Sequence, residues 1–98
     1  MSFVQIIEFE TTRLDEFNDL VDEWLAATEG RRIATSGVLA RDRDQAHTYL
    51  QIVEFPSYEE AMENSDREDT THFAERVAKL CLAPPTFRNL DVIHVDDL

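Results

Sequence analysis

Two segments of this chain have the composition of β-strands. In each of them, both the odd-numbered and the even-numbered residues are largely apolar. They are residues 3–9, Phe-Val-Gln-Ile-Ile-Glu-Phe, and residues 47–55, His-Thr-Tyr-Leu-Gln-Ile-Val-Glu-Phe. Because successive side chains of a strand point to opposite faces of a sheet, both faces of these strands require a cover. A chain of 98 residues buries only about 60–65% of its unfolded surface, so we expect helices on one face and a second copy of the chain on the other.

A helical pattern follows the first strand. Thr12 is predicted to cap its start, and Asp15 and Glu16 then lie in the first turn, where the helix dipole favours carboxylates. Gly30 is predicted to end this helix as its C′ residue. Side chains spaced three and four residues apart define one buried stripe, which comprises Leu14, Phe17, Val21, Trp24, Leu25 and Thr28.

The sequence pattern of the rest of the chain predicts two strands, a broken helix and a last strand. Residues 32–40 form a weaker strand pattern in which Gly37 indicates a bulge, and a charged loop leads to the strand at 47–55. Ser57 and Glu60 form an S-x-x-E capping box that opens a short helix. After a polar kink, a second helix resumes near residue 70 and ends before Pro84-Pro85, and residues 87–95 alternate as a strand.

The predicted order is β-α-β-β-α-β, with the second helix broken. Two helices packed on one face of a four-stranded antiparallel sheet give a ferredoxin-like α+β fold. No repeat, linker or low-complexity tract divides the chain, so residues 1–98 are predicted to form one domain. This fold hosts many activities and does not by itself indicate one.

Composition restricts the possible partners. Asp plus Glu number 21 against 9 Lys plus Arg, for a net charge of −12, which argues against nucleic-acid and anionic-membrane partners. The single cysteine, Cys81, excludes internal disulfides and paired-cysteine zinc motifs, and two glycines are too few for a glycine-rich phosphate loop. Residues 1–5 lack the basic region of a signal peptide and no apolar run could span a bilayer, so a cytoplasmic location is expected.

The stretch 48–62, Thr-Tyr-Leu-Gln-Ile-Val-Glu-Phe-Pro-Ser-Tyr-Glu-Glu-Ala-Met, resembles the antibiotic-biosynthesis-monooxygenase-like domains of the dimeric α/β-barrel superfamily. The resemblance continues into the broken second helix, with Thr71-His72-Phe73 near its restart. It implies a homodimer whose two sheets face each other to close a barrel. It also implies a cavity between sheet and helices, which relatives use for cofactor-free oxidation of polycyclic phenols, haem degradation, cyclisation or ligand binding.

The sequence departs from the haem-degrading relatives. Those proteins use an Asn on the first strand and a Trp and a His in the broken-helix region. This chain has Gln5 and Ile7 on the first strand, and its one tryptophan, Trp24, lies in the first helix. Haem degradation is therefore disfavoured, and no cofactor is expected.

Amide side chains within the apolar strands are the first candidates for ligand contacts. Gln5 and Gln51 need hydrogen-bond partners if they are buried, and a ligand, a water, each other or Asn89 could supply them. Trp24 and Tyr49 either line an aromatic pocket or belong to the core. These alternatives stay open at the level of sequence.

His72 is the best candidate for acid–base chemistry, since an imidazole pKa near ~6.5 suits proton transfer, although an exposed surface role is the alternative. The other histidines, His47 and His94, lie on different elements and no spacing pairs them, so no metal site is expected.

The sequence thus predicts a small-molecule-binding dimer, with a cofactor-free monooxygenase-like activity on an aromatic or polyketide-type compound. In that hypothesis His72 is the base, and Gln5, Gln51 and Tyr49 orient the ligand, with Trp24 and Asn89 as further ligand contacts. The alternative is a non-catalytic ligand-sensing or assembly module.

Overall fold

A computed structural model describes residues 2–98 and gives the order β-α-β-β-α-α-β. The predicted ferredoxin-like fold is confirmed, including the break in the second helical region. The elements are β1 (Phe3–Glu10), α1 (Leu14–Ala27), β2 (Ser36–Arg41), β3 (Thr48–Phe55), α2 (Tyr58–Ser65), α3 (Glu68–Leu80) and β4 (Thr86–Asp91).

The four strands form one antiparallel sheet in the order β2-β3-β1-β4. The two strands predicted to need cover on both faces, β1 and β3, are therefore the central pair. Their register pairs Phe3 with Phe55 and Phe9 with Tyr49. Odd-numbered side chains of both strands face the helices, because Phe9 and Tyr49 pack with α1 and α3 and Phe55 packs with Ala61 of α2.

The core beneath the helices is divided into two clusters. The first, which we call cluster 1, centres on the buried Phe9, Phe17, Tyr49 and Val77 at the end of the sheet where β1 ends. Cluster 2 lies at the opposite end, where α2 covers the sheet, and centres on the buried Phe3, Phe55 and Ala61. Part of the stripe predicted for α1 supplies cluster 1, through Phe17, Leu14 and Val21, whereas Leu25 of that stripe is exposed. From α3 and its end, Phe73, Leu80 and Cys81 pack against the centre of the cluster.

The start of α2 has the predicted cap. Ser57 is extended, its hydroxyl oxygen accepts the Glu60 N–H at 3.1 Å, and its O–H donates to the Glu60 carboxylate at 3.2 Å. This cap fixes where β3 ends and α2 begins. Only two residues, Asp66 and Arg67, separate α2 from α3, so the second helix resumes earlier than predicted.

Several sequence predictions about the elements were wrong in detail, and β2 begins at Ser36 instead of residue 32. Thr12 is exposed and does not cap α1; instead the Thr11 hydroxyl accepts the Arg13 N–H at 3.0 Å. Gly37 forms no bulge, since β2 keeps a regular register with β3 on both sides of it. Gly30 has the positive φ of 81° typical of glycine, but it lies two residues beyond the Thr28 cap.

A further difference concerns the last strand, which ends at Asp91 instead of residue 95. Val92 donates one further backbone hydrogen bond to Ser2 at 3.0 Å, and residues 92–98 then continue without regular secondary structure. We call these residues the 92–98 segment. Ile93 and Val95 are 86% and 77% exposed there, so the apolar alternation that predicted a strand has little cover within residues 2–98.

The face of the sheet opposite the helices, which we call the open sheet face, carries the even-numbered residues of β1 and β3. Its centre is aliphatic, and its rim bears charged side chains such as Glu8, Glu54 and Arg88. The aliphatic side chains at its centre are Val4, Ile6, Leu50 and Ile52, joined by Val38 on β2 and Leu90 on β4.

Candidate functional site

Three amide side chains lie together on the helix side of the sheet, between the two core clusters. Gln5 pairs with Asn89 across β1 and β4, and Gln51 on β3 pairs with Ile7 beside them. Their register positions share one face, with Phe3 and Phe55 on one side and Phe9 and Tyr49 on the other. We call this group (Gln5, Gln51 and Asn89) the amide layer.

Hydrogen bonding within the amide layer is incomplete. The Gln5 amide donates to the Asn89 side-chain oxygen at 3.2 Å, which is one of the partners foreseen from the sequence. Gln5 and Gln51 lie on adjacent strands as predicted, but they do not bond to each other. Both are half-buried, Asn89 is exposed, and the layer therefore opens towards the β4 edge of the sheet.

Gln51 reaches towards the other edge of the sheet, over Gly37 of β2. Its amide nitrogen lies 3.4 Å from the position that a Cβ would take on Gly37. The missing side chain thus leaves room for the carboxamide, and an alanine there would be in tight contact with it. Within the described chain the Gln51 amide makes no hydrogen bond, so its donors and acceptor are free for another molecule.

Thr70, which the sequence analysis did not single out, adds a buried hydroxyl. It lies three residues before Phe73 and seven before Val77, and so shares the inward face of α3 with them. Its Oγ1 is the one buried side-chain oxygen or nitrogen in residues 2–98 that lacks a hydrogen-bond partner. Polar residues surround Thr70 in the sequence, and only its spacing from Phe73 and Val77 could have indicated that it points inward.

The position of Thr70 along the sheet follows from the end of α3. The Leu80 carbonyl accepts the Thr11 hydroxyl at 2.7 Å, so α3 ends beside the end of β1. Thr70 lies about 15 Å back along the helix axis, a length that corresponds to roughly four or five strand residues. For a helix axis parallel to β1, counting back four or five residues from Thr11 gives the level of Ile6 and Ile7, beside the amide layer.

The two predicted aromatic contacts are part of the packing beside this site. Tyr49 is buried in cluster 1, where its ring lies 5.7 Å from that of Phe9, and the Arg41 guanidinium lies 5.5 Å from its centroid. Trp24 on α1 is half-buried, with its ring edge-to-face to Phe73 at 5.9 Å and the Arg32 guanidinium at 5.6 Å. Tyr49 is two residues from Gln51 on the same face of β3, whereas Trp24 lies in the helix layer.

His72 lies apart from the amide layer, because it is exposed on α3 while Phe73 and Val77 point inward. It lines a surface cleft of about 860 Å³ with charged neighbours that include Arg31, Arg67 and Glu75. A second cleft, of about 570 Å³, lies between α1 and the end of α3. Neither cleft is lined by a residue of the amide layer.

The ionisable groups with displaced pKa values also lie away from the amide layer. The Arg76 guanidinium donates to Glu23 at 2.7 Å across α1 and α3, and this hydrogen bond and charge hold the Glu23 pKa below its usual value. Burial raises the pKa of the Cys81 thiol, which donates to the Val77 carbonyl at 3.3 Å. The Cys81 thiol is therefore held in its unreactive protonated form.

No three His, Cys, Asp or Glu side chains among residues 2–98 converge so as to hold a metal ion. None of the helices described here is long and apolar enough to cross a membrane.

The chain is similar to known proteins in its structure and not detectably in its sequence. No protein-family model matches the chain, and no curated protein matches it in sequence. Among solved structures, Rv0793 from Mycobacterium tuberculosis is 16% identical with a TM-score of 0.77, over 99% of this chain and 100% of that one. SnoaB, a cofactor-independent oxygenase from Streptomyces nogalater, is 13% identical with a TM-score of 0.80, over 96% and 95%.

A structure described as an antibiotic biosynthesis monooxygenase is 17% identical to this chain, with a TM-score of 0.73 over 96% of this chain and 100% of that one. Such identities carry information about the fold and not about the activity. The similarity foreseen from the sequence is confirmed at that level: the chain has the ferredoxin-like fold of the antibiotic biosynthesis monooxygenase domains.

Proposed function

We propose that the protein binds a small aromatic or polyketide-type compound between its helices and its sheet, at the amide layer. The observation that carries this proposal is the pair Gln5 and Gln51 on the helix side of the sheet between two apolar clusters. The buried Thr70 hydroxyl on the inward face of α3, which lacks a hydrogen-bond partner within residues 2–98, supports it. A binding site of this kind has apolar walls and a few polar groups that fix the orientation of the ligand. A flat apolar compound with carbonyl and hydroxyl substituents matches both properties.

The hydrogen bonds expected of such a ligand follow from the groups present. The Gln51 carboxamide offers two donors and an acceptor, and the Thr70 hydroxyl offers one donor and an acceptor. A carbonyl oxygen of the ligand would accept from Gln51 or Thr70, and a phenolic O–H would donate to the Gln51 oxygen. Entry is expected from the β4 side, where Asn89 and Phe87 are exposed on the helix side of the sheet.

A titration tests the binding proposal directly. Anthrone-type and quinol-type compounds are added to the protein, and binding is followed by calorimetry or by quenching of the Trp24 fluorescence. The variant Gln5→Leu/Gln51→Leu should keep the fold and weaken binding by at least about tenfold, because two or three hydrogen bonds are lost. Gln45→Leu, at an exposed loop glutamine, is the matched control and should bind as the parent does. Equal binding by all three proteins would contradict the proposal.

A second candidate, cofactor-free oxygenation, is supported by the similarity in fold to a cofactor-independent oxygenase. In this reaction a base removes a proton from an activated CH₂ group, and the resulting carbanion transfers electrons to O₂. The peroxide that forms loses water, so that CH₂ and O₂ become C=O and H₂O. The amide layer holds no group that accepts protons at neutral pH, so the reaction needs a base from outside it.

His72 remains the proposed base for that reaction, and its exposed position requires a ligand that extends from the amide layer towards the first cleft. Because the cleft that His72 lines contains no residue of the amide layer, binding is the function that the geometry supports better. Oxygen consumption with the same compounds separates the candidates. Enzymatic turnover that is lost in His72→Ala, with binding retained, would support the oxygenase, and binding without oxygen uptake would support a ligand-sensing module.

We also propose that the protein is a homodimer that packs through its open sheet face. The support is the aliphatic centre of that face, including Val38, which is 55% exposed, on a sheet whose other face is already covered. Light scattering after size exclusion at micromolar concentration should give about twice the chain mass. A stable monomer under these conditions would contradict the dimer and leave the ligand proposal to its own test.

A further inference from the structure

Four side chains on the helix side of β1 and β3 form a square, in which amide and aliphatic corners alternate. Gln5 lies opposite Val53 in the pairing of the two strands, and Ile7 lies opposite Gln51. Val53 packs against cluster 2 and Ile7 against cluster 1, so the square lies at the boundary between the clusters. The two glutamines occupy diagonal corners, and diagonal positions about 7–8 Å apart are within reach of long side chains.

The carboxamides of the two glutamines are directed to opposite edges of the sheet. The Gln5 amide donates to the Asn89 side chain on β4 at 3.2 Å. The Gln51 amide nitrogen lies on the β2 side, 3.4 Å from the position that a Cβ would take on Gly37. Although the two side chains could reach each other, both are turned outward, and the aliphatic corners of the square are left free of amide groups.

Gly37 has no conformational role that explains a glycine at this position of β2. Its φ lies outside the positive range, which Gly30 alone adopts among the glycines, and its register with β3 is unbroken. A glycine inside a strand weakens the strand, and without a bulge it marks a place where another group approaches closely. That group is the Gln51 carboxamide. Apart from the chain neighbours of Gly37, no other atom of residues 2–98 comes within 4 Å of the Cβ position.

We infer that Gly37 is a positioning residue for the candidate site. It gives the Gln51 carboxamide a place beside β2, keeps the square open, and thereby sets the width of the ring system that the site accepts. The inference rests on the binding function proposed above and adds the residue that controls it. With a larger side chain at position 37, the Gln51 carboxamide turns back towards Gln5, and the two amides then occupy the space of the ligand.

Substitutions at position 37 grade this displacement. The Cβ of an alanine would lie at contact distance from the Gln51 amide nitrogen, so Gly37→Ala moves the carboxamide little. The methyl groups of a valine extend about 1.5 Å further, and we expect them to take the space of the carboxamide. Because the amide is the end of a flexible side chain, it moves and the strand does not. Valine also favours strands, so Gly37→Val should fold.

Binding of a three-ring anthrone-type compound and a one-ring quinol compound tests the inference. Gly37→Val should weaken binding of the three-ring compound about tenfold, and Gly37→Ala by no more than about threefold, with the quinol affinity nearly unchanged in both. Ser36→Val is the matched control, since it adds a valine to the opposite face of the same strand. In a Gln51→Ala background Gly37→Val should have no further effect, because the displaced carboxamide is gone. An equal loss in that background would overturn the positioning role.

A measurement without ligand gives an independent readout. In the NMR spectrum of a nitrogen-15-labelled protein, Gly37→Val should shift the side-chain NH₂ signals of Gln51 and bring them into contact with Gln5, whereas Ser36→Val should leave them in place. Unchanged Gln51 signals would overturn the inference. If the parent binds both compounds and Gly37→Val binds them equally well, the width assignment fails although the proposed function stands. If the parent binds neither compound, the proposed function and the width assignment both fail, and the Gln51 signals still decide whether Gly37 positions the carboxamide.

Discussion

Replacing Thr70 with valine should stabilise the ligand-free protein, because valine keeps the shape of the side chain and removes its buried hydroxyl. Thr70 Oγ1 has no hydrogen-bond partner within residues 2–98, and a hydroxyl left in that state costs about 1–3 kcal/mol. Thr70→Val should therefore raise the free energy of unfolding by about 1–3 kcal/mol. For a domain of this size about 1 kcal/mol shifts the melting temperature by about 4–8 °C, so we expect a rise of at least about 4 °C.

The assay is thermal unfolding followed by circular dichroism, with Thr71→Val as the matched control. Thr71 is the exposed neighbour on the same helix, and its replacement should change stability by no more than about 0.5 kcal/mol. The same Thr70→Val protein should bind the anthrone-type compounds more weakly, because the ligand loses one hydrogen-bond partner. A melting temperature that stays the same or falls would refute the reasoning, since it would mean that the hydroxyl is already satisfied in the folded protein.

Three further predictions concern other parts of the structure. Ser57→Ala should lower the free energy of unfolding by about 0.5–2 kcal/mol in a denaturant titration, because the Glu60 N–H loses its cap; no loss would contradict the cap. Glu23→Gln should lower the melting temperature at pH 7 through the loss of the Arg76 ion pair. Since the Glu23 pKa is lowered in the folded protein, this contribution is complete above its usual value of 4.5 and is lost as the pH falls through the lower folded value. The difference between parent and variant should therefore close in acid, and a constant difference would exclude the pair as its cause. Finally, the raised pKa of Cys81 predicts slow alkylation by iodoacetamide at pH 7 that accelerates with rising pH, whereas rapid labelling at pH 7 would indicate an accessible thiolate.

Sequence periodicity predicted the parts of the fold whose signal is local. β1 and β3 were predicted within one residue of their ends, because aliphatic and aromatic residues fill both alternation sets. Ser57 with Glu60 fixed the start of α2, since a capping box acts within one turn. These features depend on neighbours along the chain and need no knowledge of distant contacts.

The end of β4 could not be predicted because it depends on its partner strand. Residues 92–95 alternate like a strand, but β1 begins at Phe3, and among the described residues the pairing of the two strands continues only to the hydrogen bond from Val92 to Ser2. The Thr12 prediction failed for a similar reason. Thr11 both accepts the Arg13 N–H and donates to the carbonyl of Leu80, so a contact 69 residues away selects which threonine is buried.

The candidate site was predicted in part. The rule that amides within apolar strands need partners identified Gln5 and Gln51, and the register places them on one face with Asn89. Thr70 was missed because its burial depends on how α3 lies over the sheet. His72 was selected for its chemistry and for its place next to Phe73 near the helix restart, and neither property indicates whether the side chain points inward.

The amide layer that separates the two core clusters has a consequence for cooperativity. Cluster 1 holds α1 and α3 to the sheet, cluster 2 holds α2, and the amide layer lies between the levels of the two clusters. Hydrogen exchange should therefore reveal two levels of protection, with α2 opening at a lower free energy than α1 and α3. A compound bound between the clusters would contact both of them. When the protein is saturated with that compound, α2 should therefore open at the same free energy as α1 and α3.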